Sequence, residues 1–269
     1  MAGTVDCDGA TLWYEAIGAG VPLVTLHGGL GLDHSYLRPW LDPLAEQMQV
    51  VYYDQRANGR STGSAGAITM QRLADDVDAV RRRLGHERIS LLGHSYGGFV
   101  ALQYALTYPE RLAAMVLCDT DARGPEGASI QRELRRLGAA PEAIEALGTT
   151  VTSDDLTGWW SKVSSLYLPH SEPSTAHRVV ERLVYSETAR AAGNRALAAW
   201  DVSGRLGEIR AATLVIGGRD DFLFAPDRAE LLAAGIPGAE LRIYDASGHM
   251  PFVEEQERFL GDVGSFVVA

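Results

Sequence analysis

Ser95 stands at the centre of Gly93-His94-Ser95-Tyr96-Gly97, a G-x-S-x-G pentapeptide. A serine hydroxyl is a weak nucleophile at neutral pH and needs a general base, which in turn needs an acid to orient it. Both occur downstream. His249 lies in Ala246-Ser247-Gly248-His249-Met250-Pro251, and the adjacent carboxylates Asp220 and Asp221 follow Gly218-Arg219. Asp119 and Asp121 are further candidates for the acid. The chemistry open to a serine, a histidine and an aspartate so recruited is acyl transfer through a covalent acyl-serine. Its tetrahedral intermediate carries an oxyanion, which requires two preset N–H donors shielded from water. Tyr96 supplies one backbone amide, and the glycine-rich run His27-Gly28-Gly29-Leu30-Gly31 offers the second from Gly29. That run lacks G-x-G-x-x-G and G-x-x-x-x-G-K-[ST], which argues against a phosphate cradle, and His27 reads as a structural hydrogen-bonding residue.

These residues must be positioned by regular elements. Residues 89–93 read as a buried strand and residues 98–106 as a helix with apolar faces. A serine on so abrupt a turn is strained, and the glycines two positions either side are needed because side chains there collide across it. Residues 22–26, 114–118, 212–218 and 241–245 read as further strands, with a helix over about 227–234. Each candidate acid and His249 therefore follows the carboxyl end of a strand, where an open α/β sheet gathers its chemistry. Neighbouring residues at a strand end point in different directions, so only one of Asp220 and Asp221 faces His249.

Residues 11–17 alternate as an edge strand should, residues 50–53 read as a buried strand, and Ile68, Leu73, Val77, Val80 and Leu84 mark an amphipathic helix. Alternating strands and helices pack as a mostly parallel sheet with helices on both faces. The alternation stops between residues 123 and 210, a stretch of four or so helices punctuated by Gly124-Pro125, Ala140-Pro141, Pro169 and Pro173. Within it Ser153-Asp154-Asp155 reads as a helix start. The expected organisation is an α/β core of residues 1–122 and 211–269 carrying a helical cap of residues 123–210. Trp159 and Trp160 fall on different faces of one cap helix, one to pack and one to face the site. Phe222 and Met250, beside acid and base, are expected pocket walls.

Composition narrows the classes. With 24 Lys+Arg against 35 Asp+Glu the net charge is −11, which disfavours nucleic acid or an anionic membrane as partner. No apolar run approaches the roughly 20 residues that span a bilayer, and residues 1–8 lack a signal-peptide core, so a cytoplasmic protein is expected. Cys7 and Cys118 read as free thiols. No C-x-x-C or H-E-x-x-H spacing occurs, so neither metal nor cofactor is expected. The partner is a small-molecule substrate. The oligomeric state is left open.

Together these segments resemble the α/β-hydrolase superfamily over nearly the whole chain. The matches in type and order are His27–Gly31, Asp54-Gln55-Arg56 with Asn58-Gly59-Arg60-Ser61, Gly93–Gly98, Tyr108-Pro109-Glu110-Arg111-Leu112, and Gly248-His249. The first two segments look most like the prolyl iminopeptidases and the hydrolases grouped with them. Those enzymes usually have proline where Leu30 stands, glycine where Ala57 stands and often tryptophan where Tyr96 stands. The resemblance implies an α/β-hydrolase fold with a helical cap. It also implies a Ser95–Asp221–His249 triad, the acid falling three residues after Gly218, and an oxyanion hole from the amides of Gly29 and Tyr96. Asp54 and Arg56 look like a loop-bracing pair in that family.

A small carboxylic ester or lactone is the expected substrate. The alternative is a prolyl iminopeptidase-like aminopeptidase, whose substrate ammonium must meet a carboxylate when it leaves water. The late cap offers Glu172, Glu181 and Glu187, each of which also reads as a surface glutamate paired with Arg178, Arg182 or Arg190. Trp159, Trp160 and Tyr167 point instead to an apolar cavity without a countercharge, suited to an uncharged acyl group. Carbon–carbon bond hydrolysis and perhydrolysis run on the same three residues. A receptor of this fold that binds without turnover usually lacks one of them, and all three are present.

Overall fold

The computed structural model describes every residue except 30; the expected Leu30 departure lies outside the described residues. Eight strands form one sheet: β1 (Ala2–Cys7), β2 (Ala10–Ile17), β3 (Pro22–Leu26), β4 (Gln49–Tyr53), β5 (Ile89–His94), β6 (Leu112–Cys118), β7 (Ala212–Gly218) and β8 (Glu240–Tyr244). Their spatial order is β1-β2-β4-β3-β5-β6-β7-β8. β2 pairs antiparallel with both β1 and β4, and every other neighbouring pair is parallel. From β3 the chain crosses to β4 on one side, and from β5 to β6 on the other. This reversal opens a crevice above the carboxyl ends of β3 and β5.

The helices are α1 (Met70–Arg83), α2 (Tyr96–Thr107), α3 (Gly127–Arg136), α4 (Pro141–Leu147), α5 (Leu156–Tyr167), α6 (Pro173–Val180), α7 (Glu187–Leu197), α8 (Pro226–Gly235), α9 (Pro251–Glu254) and α10 (Gln256–Val268). β5 is buried along its whole length, so its sequence, Ile-Ser-Leu-Leu-Gly-His, shows no alternation of apolar and polar positions. Leu91 joins the apolar layer under α1 and α2, while its neighbour Leu92 joins the layer under α10. Helices thus cover both faces of the sheet.

Three expectations about the elements change here. The strand over residues 11–17 is not an edge: β1 pairs along its outer side from Ala2↔Glu15 to Cys7↔Ala10. Its alternation of buried and half-buried residues reports one covered face, not a missing neighbour. The stretch between β6 and β7 holds five helices, α3 to α7. Its helix start near Ser153 also differs, because Asp155 is the residue before α5 and makes no side-chain capping bond, while Ser153 N–H donates to Glu187 on α7. The ends of this stretch meet, with Arg123 bridging Asp201 and Val202 N–H donating to Ala122 O at 2.9 Å.

The loop after β4 braces the crevice, though not as an Asp54–Arg56 pair. The Arg56 guanidinium is buried against Asp76 of α1, and Asp54 accepts from the His34 ring at 2.7 Å and from Arg60 N–H at 2.8 Å. The intervening Ala57 has φ +62°, in the left-handed region that disfavours a Cβ. Ala57→Gly is therefore expected to stabilise the fold by about 1 kcal/mol, the relieved strain outweighing the entropy of glycine. Urea unfolding of the two proteins side by side measures it. A destabilised glycine variant would contradict the strain.

Candidate active site

Ser95 takes φ +53° and ψ −118°, a backbone that is costly for a residue with a side chain and persists only where its surroundings over-determine it. They do. Ser95 N–H donates to Cys118 O at the end of β6 (2.9 Å), and Ser95 O accepts from the Thr120 hydroxyl (2.8 Å) and Gly98 N–H (2.9 Å). A Cβ on Gly97 would stand 2.0 Å from Leu26 O at the end of β3, so only glycine lets the serine turn sit down on that strand.

At the ends of β7 and β8 the two adjacent aspartates diverge. Asp221 is wholly buried and its Oδ2 lies 2.9 Å from His249 Nδ1, while its Oδ1 accepts from Leu223 N–H at 2.8 Å. Asp220 turns outward to Arg136 (3.0 Å) and His170 (2.8 Å). A carboxylate can only accept, so the His249 proton sits on Nδ1 and the Nε2 lone pair is free for a reacting group. Of the other candidate acids, Asp121 is paired with Arg228. Asp119 accepts from Gly218 N–H at 2.8 Å, and burial beside the Asp221 charge pushes its carboxyl well above the usual range, favouring the neutral form.

Ser95 and His249 line one cavity of about 200 Å³ at the crevice, together with Gly29, Tyr96, Trp159, Trp160 and Met250. The Gly28 N–H is consumed by the Tyr36 hydroxyl at 2.6 Å, whereas the N–H groups of Gly29 and Tyr96 meet no acceptor among the described residues. Both tryptophans, not one, reach the cavity. Their indole N–H groups donate to Ala146 O and Ala176 O, and their rings flank Tyr167, which meets the His249 ring edge-on at 5.6 Å. Phe222 is not a wall. It packs edge-on behind Tyr167 at 5.0 Å, in an apolar cluster with Leu134, Ala143 and Leu166, because the turn that sends Asp221 inward sends Phe222 under the helices.

Sequence reasoning missed three residues. His94 and Tyr36 form a buried relay in which Gly28 N–H donates to Tyr36 Oη, Tyr36 Oη lies 2.7 Å from His94 Nδ1, and His94 Nε2 lies 2.8 Å from His249 O. A carbonyl only accepts, so His94 Nε2 carries the proton and Tyr36 donates to Nδ1. Burial and the neighbouring His249 hold the His94 pKa well below the usual histidine value, which keeps the relay in this one orientation. The histidine inside the pentapeptide was the available signal. His27 is a brace, its Nε2 accepting from Gln55 N–H at 3.1 Å. The third residue, Arg190, brings a cation to the wall of a cavity expected to be apolar. Two groupings resemble metal-ligand sets, His94–Asp119–His249 and Asp33–His34–Asp54, but most of their ligand atoms are engaged in hydrogen bonds within the protein.

Residues 21–256 match the family model for the alpha/beta hydrolase fold. The chain belongs to that family, and its relatives are named hydrolases. It is 31% identical over 253 residues to a putative carbamate hydrolase of Rhizobium rhizogenes, covering 91% of this chain and 92% of that protein. It is 28% identical to a proline iminopeptidase of Saccharolobus solfataricus, covering 94% of this chain and 87% of the other. Among solved structures, an N-acyl homoserine lactone degrading enzyme superposes with a TM-score of 0.74 at 26% identity, covering 98% of this chain and 100% of its own. Among the described residues no helix is long and apolar enough to cross a membrane.

The relay makes a stability prediction. Tyr36→Phe strips the acceptor from a buried N–H and the donor from a buried ring nitrogen. Each orphaned group costs about 1–3 kcal/mol, so the variant is expected to lose at least about 2 kcal/mol in chemical denaturation. A loss below about 0.5 kcal/mol would mean that the relay holds nothing.

Proposed function

We propose that this protein is a serine hydrolase acting on a small carboxylic ester or lactone through an acyl-enzyme. In this reading His249 Nε2 removes the Ser95 proton as Oγ attacks the carbonyl carbon, while the carbonyl π electrons move onto the oxygen. The N–H groups of Gly29 and Tyr96 receive that oxyanion. Asp221 stabilises the imidazolium and holds its tautomer. As the oxyanion collapses, the bond from the carbon to the leaving alkoxide breaks and the imidazolium protonates that oxygen. Water, deprotonated by His249, then attacks the acyl carbon, and the imidazolium returns a proton to Ser95 Oγ as its bond to that carbon breaks.

The observation that carries this reading is the Asp221–His249 bond of 2.9 Å at the wall of a mainly apolar cavity that also holds a strained serine. The aminopeptidase alternative needs a carboxylate for the substrate ammonium. No aspartate or glutamate lines the cavity among the described residues. Glu181 lines a separate cleft with Arg178 and Arg182, Glu187 accepts from Ser153 N–H, and Glu172 is exposed at the start of α6. The helices of residues 123–210 act as the cap, shedding water from the reacting carbonyl.

A fluorophosphonate is expected to label Ser95 and abolish turnover, with EDTA without effect, and Ser95→Ala should lower kcat on nitrophenyl esters by about 10³-fold or more. An adduct on another serine, found by peptide mapping, defeats the assignment. Asp221→Asn should retain the fold yet lower kcat by orders of magnitude, and Asp220→Asn by no more than a few-fold. The opposite ranking would transfer the acid role to Asp220. Nitrophenyl esters or lactones should also exceed proline naphthylamide in kcat/KM, and a better proline amide would replace this reading with the peptidase one.

A further inference from the structure

We propose that the substrate of this site carries a carboxylate besides its scissile ester or lactone, and that Arg190 binds it. The inference rests on the hydrolase reading above and narrows its substrate class.

Arg190 lies on α7, one turn before Asn194, and both side chains line the cavity that holds Ser95 and His249. Two hydrogen bonds fix the helix over the site. Ser186, the residue before it, donates N–H to Gly31 O at 2.7 Å, and Gly193 O accepts the Tyr96 hydroxyl at 3.1 Å. Arg190 falls between these ties in the helix, its Cβ lies against Gly31, and Tyr185 beside it lines the same cavity. Its charge is felt at Tyr167, whose phenol burial raises to about 12 while the Arg190 guanidinium pulls it back.

A guanidinium beside an apolar wall of tryptophan, leucine and valine would ordinarily be matched by an acid. Among the described residues Arg190 makes no ion pair, and the cavity wall contributes no acidic side chain, although the chain carries 35 of them and a net charge of −11. The planar fork of arginine suits a carboxylate held by two parallel N–H bonds, and the Asn194 amide adds a neutral donor or acceptor alongside. The net charge of the whole protein repels anions at a distance, so the selection is made inside the cavity by this one side chain.

Two pairs of substrates test it. 4-Nitrophenyl hemiglutarate against 4-nitrophenyl valerate places the carboxylate on the acyl side, and 4-acetoxybenzoate against its methyl ester places it on the alcohol side. For at least one pair, wild type should favour the carboxylate member in kcat/KM. Arg190→Gln should reduce that ratio by about 10- to 100-fold, chiefly through KM, with Arg190→Lys in between. An unchanged ratio in Arg190→Gln for both pairs overturns the proposal. Should the glutamine variant fail to fold, the lysine variant decides by the same ratio. If wild type hydrolyses none of the four compounds, the ester reading has failed on its own account. Glutarate binding, followed by the fluorescence of Trp159 and Trp160, then judges Arg190: weaker binding in Arg190→Gln sustains the carboxylate site, and equal binding or none removes it.

Discussion

The serine turn between β5 and α2 is the constraint on which the rest of the site depends. A residue at φ +53° is unfavourable alone, and here the cost is met by contacts from the ends of two neighbouring strands at once. Cys118 O receives its N–H, the Thr120 hydroxyl reaches its carbonyl, and the missing Cβ of Gly97 lets Leu26 O approach. Because those partners are the ends of β6 and β3, the turn is held in place only where these strands and β5 are in register. Local conformation and global topology are satisfied together or not at all.

Around that turn the buried polar groups are arranged so that each proton has one place to be. Asp221 holds the His249 proton on Nδ1. The relay through His94 and Tyr36 runs from the His249 carbonyl to the Gly28 N–H, joining the loop of His249 to the loop that carries Gly28 and Gly29. Asp119, buried close by, is driven toward its neutral form, so the site does not accumulate two adjacent negative charges. A further support is Glu254, which accepts the Gly248 N–H at 2.6 Å and whose carboxyl burial raises to about 7.

Much of this was legible in the chain. The pentapeptide, the strand runs at residues 89–93 and 212–218, and the Gly-His before Met250 each pair a local pattern with a chemical need, and their order places them on one edge of a parallel sheet. Most of what escaped had no local pattern. β1 mixes small and polar residues and is recognised only by its pairing with β2. Tyr36 and His94 are 58 residues apart and meet only through the fold. Phe222 was placed by proximity to Asp221, but at a tight turn successive side chains go to opposite sides. Arg190 could be read as a surface partner for glutamates because helix periodicity says which residues share a face and not what that face meets.

The ties of α7 to the Gly31 carbonyl and the Tyr96 hydroxyl bear on how such enzymes can be recombined. An inserted helix is exchangeable only where nothing below depends on it. Here α7 is keyed to the β5–α2 turn and to the loop after β3. A relative with tryptophan where Tyr96 stands has no hydroxyl for the Gly193 carbonyl, so its seventh helix would arrive cut for a different lock. Chimeras that keep α7 with its own β5–α2 turn respect the joint, and those that cut between them break it.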